Sequence, residues 1–161
     1  MERLATLLQE VDVDKKDICY KVIDHIMVIA HGESAPSKEG WNLMIEETQK
    51  VKNRYGKVRF VVWTSGGHPN ATQRANLLAE IKDLDCRAAV ITESSLARRA
   101  VTAFSYMSPS MNIKAFDPKD EDVFSKVIDH LREDMNSLFI EEQLGNCLMN
   151  IGEDLPEGVG L

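Results

Sequence analysis

At 161 residues, 43% hydrophobic and 28% charged, the chain has the length and composition of one globular domain with a full core. Its net charge of −7 and pI near 5.1 argue against nucleic acid and anionic membrane as partners, since both would repel it. No run approaches the roughly 18 apolar residues of a membrane span, and residues 1–17 lack the basic end, apolar stretch and cleavage site of a secretory signal. A cytoplasmic protein without a transmembrane segment is predicted. Cys19, Cys86 and Cys147 are odd in number and in no metal-ligand spacing, which predicts reduced thiols rather than a structural disulfide framework or a zinc site.

In chain order, Ile18–Asp24 and Ile26–Gly32 are β-rich runs separated by almost nothing, so a hairpin turning near Asp24-His25 is predicted. His25 and His31 then alternate along a half-solvated strand pair. Trp41, Met44, Ile45, Thr48 and Val51 recur at helical spacing until Gly56 ends the first helix. Val58–Trp63 has the density of a buried strand, and Gly66, Gly67 and Pro69 forbid its continuation. Asn70 caps a second helix, Ala71–Leu84, with Gln73 completing a capping box. Ala88–Ile91 is a short buried strand. A third helix starts at Ser94 or Ser95, carries Leu96, Ala97, Ala100, Val101 and Phe104, and ends before Pro109. Ile113–Phe116 is a further strand, and Asp117 and Pro118 are read as N-cap and first residue of a fourth helix buried on Val123, Phe124, Val127, Ile128 and Leu131. The order predicts a mixed, mostly parallel β-sheet with an N-terminal hairpin, flanked by four or five helices.

From Arg132 to Leu161 one basic residue faces seven acidic ones, a net of −6, so the body carries only −1. The tail has apolar residues at helical spacing (Met135, Leu138, Phe139), with Gly145, Gly152, Pro156 and Gly158 signalling fraying or turns. The organisation read from this is an N-terminal segment 1–16, a domain 17–131, and an acidic amphipathic tail 132–161 that packs on the domain or on a partner. Leu4, Leu7, Leu8 and Val11 form a similar stripe in the first segment.

The strand-to-helix junction Val58–Asn76 is the predicted functional surface, because carboxyl ends of strands in α/β sheets receive ligands and modifications. Thr72 is a hydroxyl near a helix N-terminus, where backbone N–H groups and the macrodipole favour a phosphate or another anion. Ser65 is its exposed competitor. Thr64-Ser65-Gly66-Gly67-His68 lacks the lysine and spacing of a P-loop and the GxGxxG of a dinucleotide site, and reads as a turn. His68 belongs to no triad-like order, so no catalytic residue, metal ligand or cofactor is assigned. Trp63, Gly66, Gly67, His68, Asn70, Arg98, Arg99, Tyr106 and Met107 form the candidate ligand or partner surface.

Over residues 17–131 the order and lengths of these elements, with Asn70-Ala71-Thr72-Gln73 opening the helix after the third strand, resemble the STAS domain of bacterial anti-sigma-factor antagonists, especially its divergent stand-alone branch. In that family an Asp-Ser-Ser-Gly type signature opens this helix, and its serine is phosphorylated by a partner kinase. Here Asn70 stands in place of the acid, Thr72 in place of the phosphorylated hydroxyl and Gln73 in place of the glycine. Trp63-Thr64 occupy the end of the third strand, where an Asp is common. The resemblance implies a non-catalytic signalling or scaffold domain whose partner is a kinase or another regulatory protein, with homodimerisation expected. Divergent relatives are similar to lipid-binding CRAL-TRIO-like domains, which implies the alternative of a carrier holding a small apolar ligand in a cleft of Trp41, Trp63, Phe104, Tyr106 and Met107.

Overall fold

A computed structural model describes residues 18–152. The segment 1–16, with its leucine stripe, and residues 153–161 of the tail lie outside the described residues. The predicted hairpin forms from β1 (Ile18–Ile23) and β2 (Ile26–His31), with Ile23 opposite Ile26 and Asp24 at φ 53°, a left-handed conformation that Asp tolerates. There follow α1 (Lys38–Tyr55), β3 (Lys57–Thr64), α2 (Ala71–Ile81), β4 (Asp85–Ile91), α3 (Ser95–Met107), a 3-10 turn (Pro109–Met111), β5 (Ile113–Phe116), α4 (Val123–Leu131) and α5 (Ser137–Asn150).

The five strands lie in the order β1-β2-β3-β4-β5, the first pair antiparallel and the rest parallel. This is the predicted mixed, mostly parallel α/β sheet. Every crossover from β2 to β5 steps the same way, and right-handed crossovers of that kind bring α1, α2 and α3 to one face. Strand alternation then divides the core in two. Met27, Ile29, Val58, Phe60 and Ala88 meet Trp41, Met44, Val51 and Ile81 on the α1–α3 side. Val28, Ala30, Val61, Trp63, Ala89 and Ile91 meet Val123, Phe124, Val127, Ile140, Leu144 and Leu148 on the α4–α5 side.

Four expectations are corrected by this packing. All six residues of β2 are buried, so His31 is not on a half-solvated strand: it shares the face of Met27 and Ile29, which α1 covers, and its ring lies beside Trp41. Helix α2 stops at Ile81 rather than Leu84: Lys82 turns to ψ 130°, Asp83 takes φ 60°, and β4 begins at Asp85 rather than Ala88. Asp117 does not cap a helix. Its carboxylate accepts from Lys119 N at 2.9 Å and its carbonyl from Asp120 N at 3.0 Å, which spends the residue on a turn, and the helix begins only at Val123. Gly145 interrupts nothing, since α5 continues through it to Asn150 with Leu144, Cys147 and Leu148 buried. Leu96, read as one of the apolar residues carried by the third helix, is exposed, because α3 lies at the sheet edge and none of its residues is fully buried.

At the amino end of the sheet one buried cation joins these layers. Arg59, 5% exposed on β3, donates from Nε to Leu131 O at 2.8 Å at the end of α4, and from Nη1 to Val58 O and Asp85 O, both at 3.1 Å. Its guanidinium also reaches Asp85 Oδ1 at 3.1 Å and Oδ2 at 3.2 Å, and Glu133 Oε1 lies 3.3 Å from Nε. The same Glu133 oxygen is 2.7 Å from His25 Nε2 in the hairpin turn. R59M leaves Glu133 without its guanidinium and the last α4 carbonyl unpaired, so a loss of about 3 kcal/mol is expected by urea denaturation. A loss below ~1 kcal/mol would mean that water replaces these bonds without cost.

Candidate interaction site at the carboxyl end of the sheet

His31 and Thr64 end β2 and β3 and are partners in register. Past them the chain runs out of strand into glycine and proline, and two loops form whose backbones touch. Ser65 N donates to His31 O at 3.2 Å and Gly67 N to Gly32 O at 3.0 Å. The Thr64 hydroxyl donates to Gly67 O and accepts from Gly66 N at 3.1 Å, so it closes its own loop. Gly66 takes φ 133°, a region other residues avoid. Gly67 is required for a different reason. A Cβ there would stand 2.7 Å from Gly32 O and nearer still to Ser34 O.

Beneath this lock sits His31, 5% exposed, with its ring centroid 6.4 Å from that of Trp41. Burial pushes its imidazole down to about 4, so the ring is neutral at physiological pH. His31 Nδ1 and Trp41 Nε1 are both buried without a hydrogen-bond partner.

The next element is positioned as the sequence predicts. Asn70 Oδ1 accepts from Gln73 N at 2.8 Å, and Gln73 Oε1 accepts from Asn70 N at 2.9 Å, a complete capping box. Gln73 Nε2 also donates to Pro36 O at 2.9 Å, which ties the start of α2 to the loop before α1. Thr72 is the second helical residue and is exposed. His68 and Asn70 are exposed beside it, and Arg74 Nη1 donates to Pro69 O at 2.7 Å.

The predicted surface residues separate into groups. Gly66, Gly67, His68, Asn70, Ser65 and Thr72 come together at this end, although Ser65 is half-buried rather than exposed and Gly67 is buried. Trp63 does not join them: it is 4% exposed and faces α4 and α5. Arg98 lies in the first turns of α3, also at the carboxyl end, where it donates to Thr92 O at 2.8 Å and Glu93 O at 3.1 Å and pairs with Asp117 at 3.4 Å. With Arg99, Ser95, Thr102 and Ala115 it lines an open depression of about 540 Å³. Tyr106 and Met107 stand at the far end of α3, toward the amino end of the sheet, 83% and 80% exposed. The expected aromatic cleft does not assemble. Trp41 and Phe104 lie on the α1–α3 face, Trp63 on the opposite face, and Tyr106 and Met107 in solvent.

The sequence reading missed the loop partners Gly32 and Ser34 and the buried His31–Trp41 pair. Gly32 directly after a strand was the available signal for the first; the second needed the sheet register. Among the described residues no group of three His, Cys, Asp or Glu is placed to hold a metal ion, and no helix is long and apolar enough to cross a membrane. Comparison of the chain with family models, curated proteins and solved structures returns no match.

G67A is expected to cost about 1–3 kcal/mol, because backbone rather than a flexible side chain must move. An unchanged urea midpoint would show that the two loops are not locked. His31 gives a pH dependence of defined sign. The unfolded imidazole takes up a proton near its ordinary 6.5, whereas the folded one resists until about 4. Stability is therefore full above the unfolded value and falls on acidification through that window, by on the order of 3 kcal/mol at its lower end. Subtracting the pH profile of H31L from that of the parent protein isolates this contribution, and a flat difference between the two values would refute it.

Proposed function

We propose that this chain is a non-catalytic signalling or scaffold domain of the bacterial cytoplasm, acting through a protein partner at the start of α2, with phosphorylation of Thr72 as its switch. The observation that carries this reading is the placement of Thr72: an exposed hydroxyl on the second residue of a helix held by a full capping box and by the Gln73–Pro36 bond. Neighbouring polar groups are committed to structure. Thr64 closes its loop, Asn70 and Gln73 satisfy each other, and His31 is buried and neutral. A kinase meets a fixed, accessible acceptor there, and a partner meets a surface of His68, Asn70 and Thr72 with little conformational freedom to lose. The resemblance to STAS domains assigns the phosphorylated hydroxyl to the same residue.

A phosphate at this position is compatible with the fold. It adds about −1.5 to −2 charge at a helix N-terminus, where the macrodipole favours it. Partner release therefore follows from repulsion or lost complementarity at the surface, not from unfolding of α2. T72E is expected to leave thermal stability unchanged or slightly raised while abolishing retention of the partner that immobilised unmodified protein enriches from a lysate of the source organism. T72A should keep that partner. Equal enrichment by the parent protein and T72E, or enrichment no better than by unfolded bait, would overturn the reading.

A further inference from the structure

The cysteines are thiols, and two of them meet although they are far apart in the chain. Cys19 is half-buried on β1, the edge strand, opposite Ala30 of β2, and packs against the core beneath α5. Cys147 is on α5, 2% exposed, with Sγ 3.9 Å from Val28 O, one alternation along β2 from Ala30. Asn150, the next residue on that side of α5, donates from Nδ2 to Cys19 Sγ at 3.7 Å. The two thiols are hydrogen-bonded to each other. Cys86 is on β4 in the core of the opposite face, so the sheet separates it from both.

We propose that Cys19 and Cys147 are a redox modification site, at which a peroxide converts the pair to an intramolecular disulfide stapling α5 to the edge strand. Cys19, the more accessible, attacks as thiolate. Its sulfur takes one peroxide oxygen, the O–O bond breaks, and hydroxide leaves and is protonated to water, giving Cys19 sulfenic acid. The Cys147 sulfur then displaces the sulfenic hydroxyl, and the Cys147 S–H proton leaves with it as a second water. Two thiols lose two electrons and two protons, and one hydrogen peroxide becomes two waters. Donating its S–H to the Cys19 sulfur, together with burial, holds the Cys147 thiol well above its usual range, which suits it to resolve rather than to attack first. Burial likewise pushes Cys86 up to about 12 and leaves it a bystander. Because the bond would link the first described strand to the last helix, it would close nearly the whole domain into one loop, the case in which a cross-link restricts the unfolded chain most.

The test uses the full chain treated with limiting hydrogen peroxide, alkylated, and weighed intact under denaturing conditions. Expected are a mass lower by two hydrogens before alkylation, a single alkylated thiol, a peptide joining Cys19 to Cys147, reversal by a dithiol, and a higher denaturation midpoint than the reduced protein. C86S should behave identically. C147S should instead accumulate an oxidised Cys19 that a sulfenic-acid probe captures without any cross-link. Oxygen added at Cys19 of the parent protein without a cross-link, a bond to Cys86, or a bond between two chains would each overturn the proposal.

Discussion

The satisfaction of one buried cation organises the amino end of the fold. Arg59 occupies a position on β3 where strand alternation points it at the α4–α5 layer, into a core otherwise built from Val, Ile, Leu, Phe and Trp. A guanidinium there is tolerable only if its donors are used. The solution draws on four elements at once: its own strand, the start of β4 at Asp85, the last turn of α4 at Leu131, and Glu133 in the connection to α5. Leu131 O is an orphan carbonyl at a helix C-terminus, where a cation is also favoured by the macrodipole. The path from α4 into α5 is therefore set by electrostatics, and the apolar stripe of α5 then falls on β1 and β2. Without that layer the hairpin would show one face to water.

With both faces covered and every crossover stepping the same way, polar chemistry has few places left. Doubly wound sheets open a crevice where strand order reverses. This sheet runs β1 to β5 without a reversal, and at its carboxyl end successive loops lean on one another, with Gly67 against Gly32 and Ser34, and Gln73 against Pro36. The result is a packed rim with exposed functional groups, a shape suited to meeting another surface. The edge position of α3 extends the same theme, since it leaves Leu96, Tyr106 and Met107 in solvent, although at opposite ends of one helix.

How much of this could be read from the sequence depended on whether the cause was local. Capping by Asn70 and Gln73, termination of α1 at Gly56 and the hairpin at Asp24 are written in two to four adjacent residues, and each formed. The failures have tertiary causes. Asp117-Pro118 carries a genuine helix-start signal, but Asp117 is drawn into a turn and pairs with Arg98, which belongs to another element. His31 reads as the polar half of an alternating strand because nothing within β2 reveals that its face, shared with Met27 and Ile29, is covered by Trp41 of α1. The aromatic cleft failed for the simplest reason: on β3 a residue's parity decides its face, and Trp63 has the parity of Val61, while Trp41 packs with the Phe60 side.

Rigidity at the candidate site has a consequence for how the proposed switch would work. A modification can change binding by reshaping the surface or by changing its charge, and the first requires an element with two arrangements of similar free energy. At the start of α2, reciprocal side-chain caps, a glycine closed in by two carbonyl oxygens and a buried amide bond all oppose rearrangement. Charge is then the remaining variable. The field of a phosphate on an exposed residue falls off over about 8 Å at physiological salt, so its reach is confined to groups that contact α2 and the adjoining loop directly. A partner controlled this way must place its own acidic or apolar atoms against Thr72, whereas one that docks on α3 near Tyr106 would be indifferent to the modification.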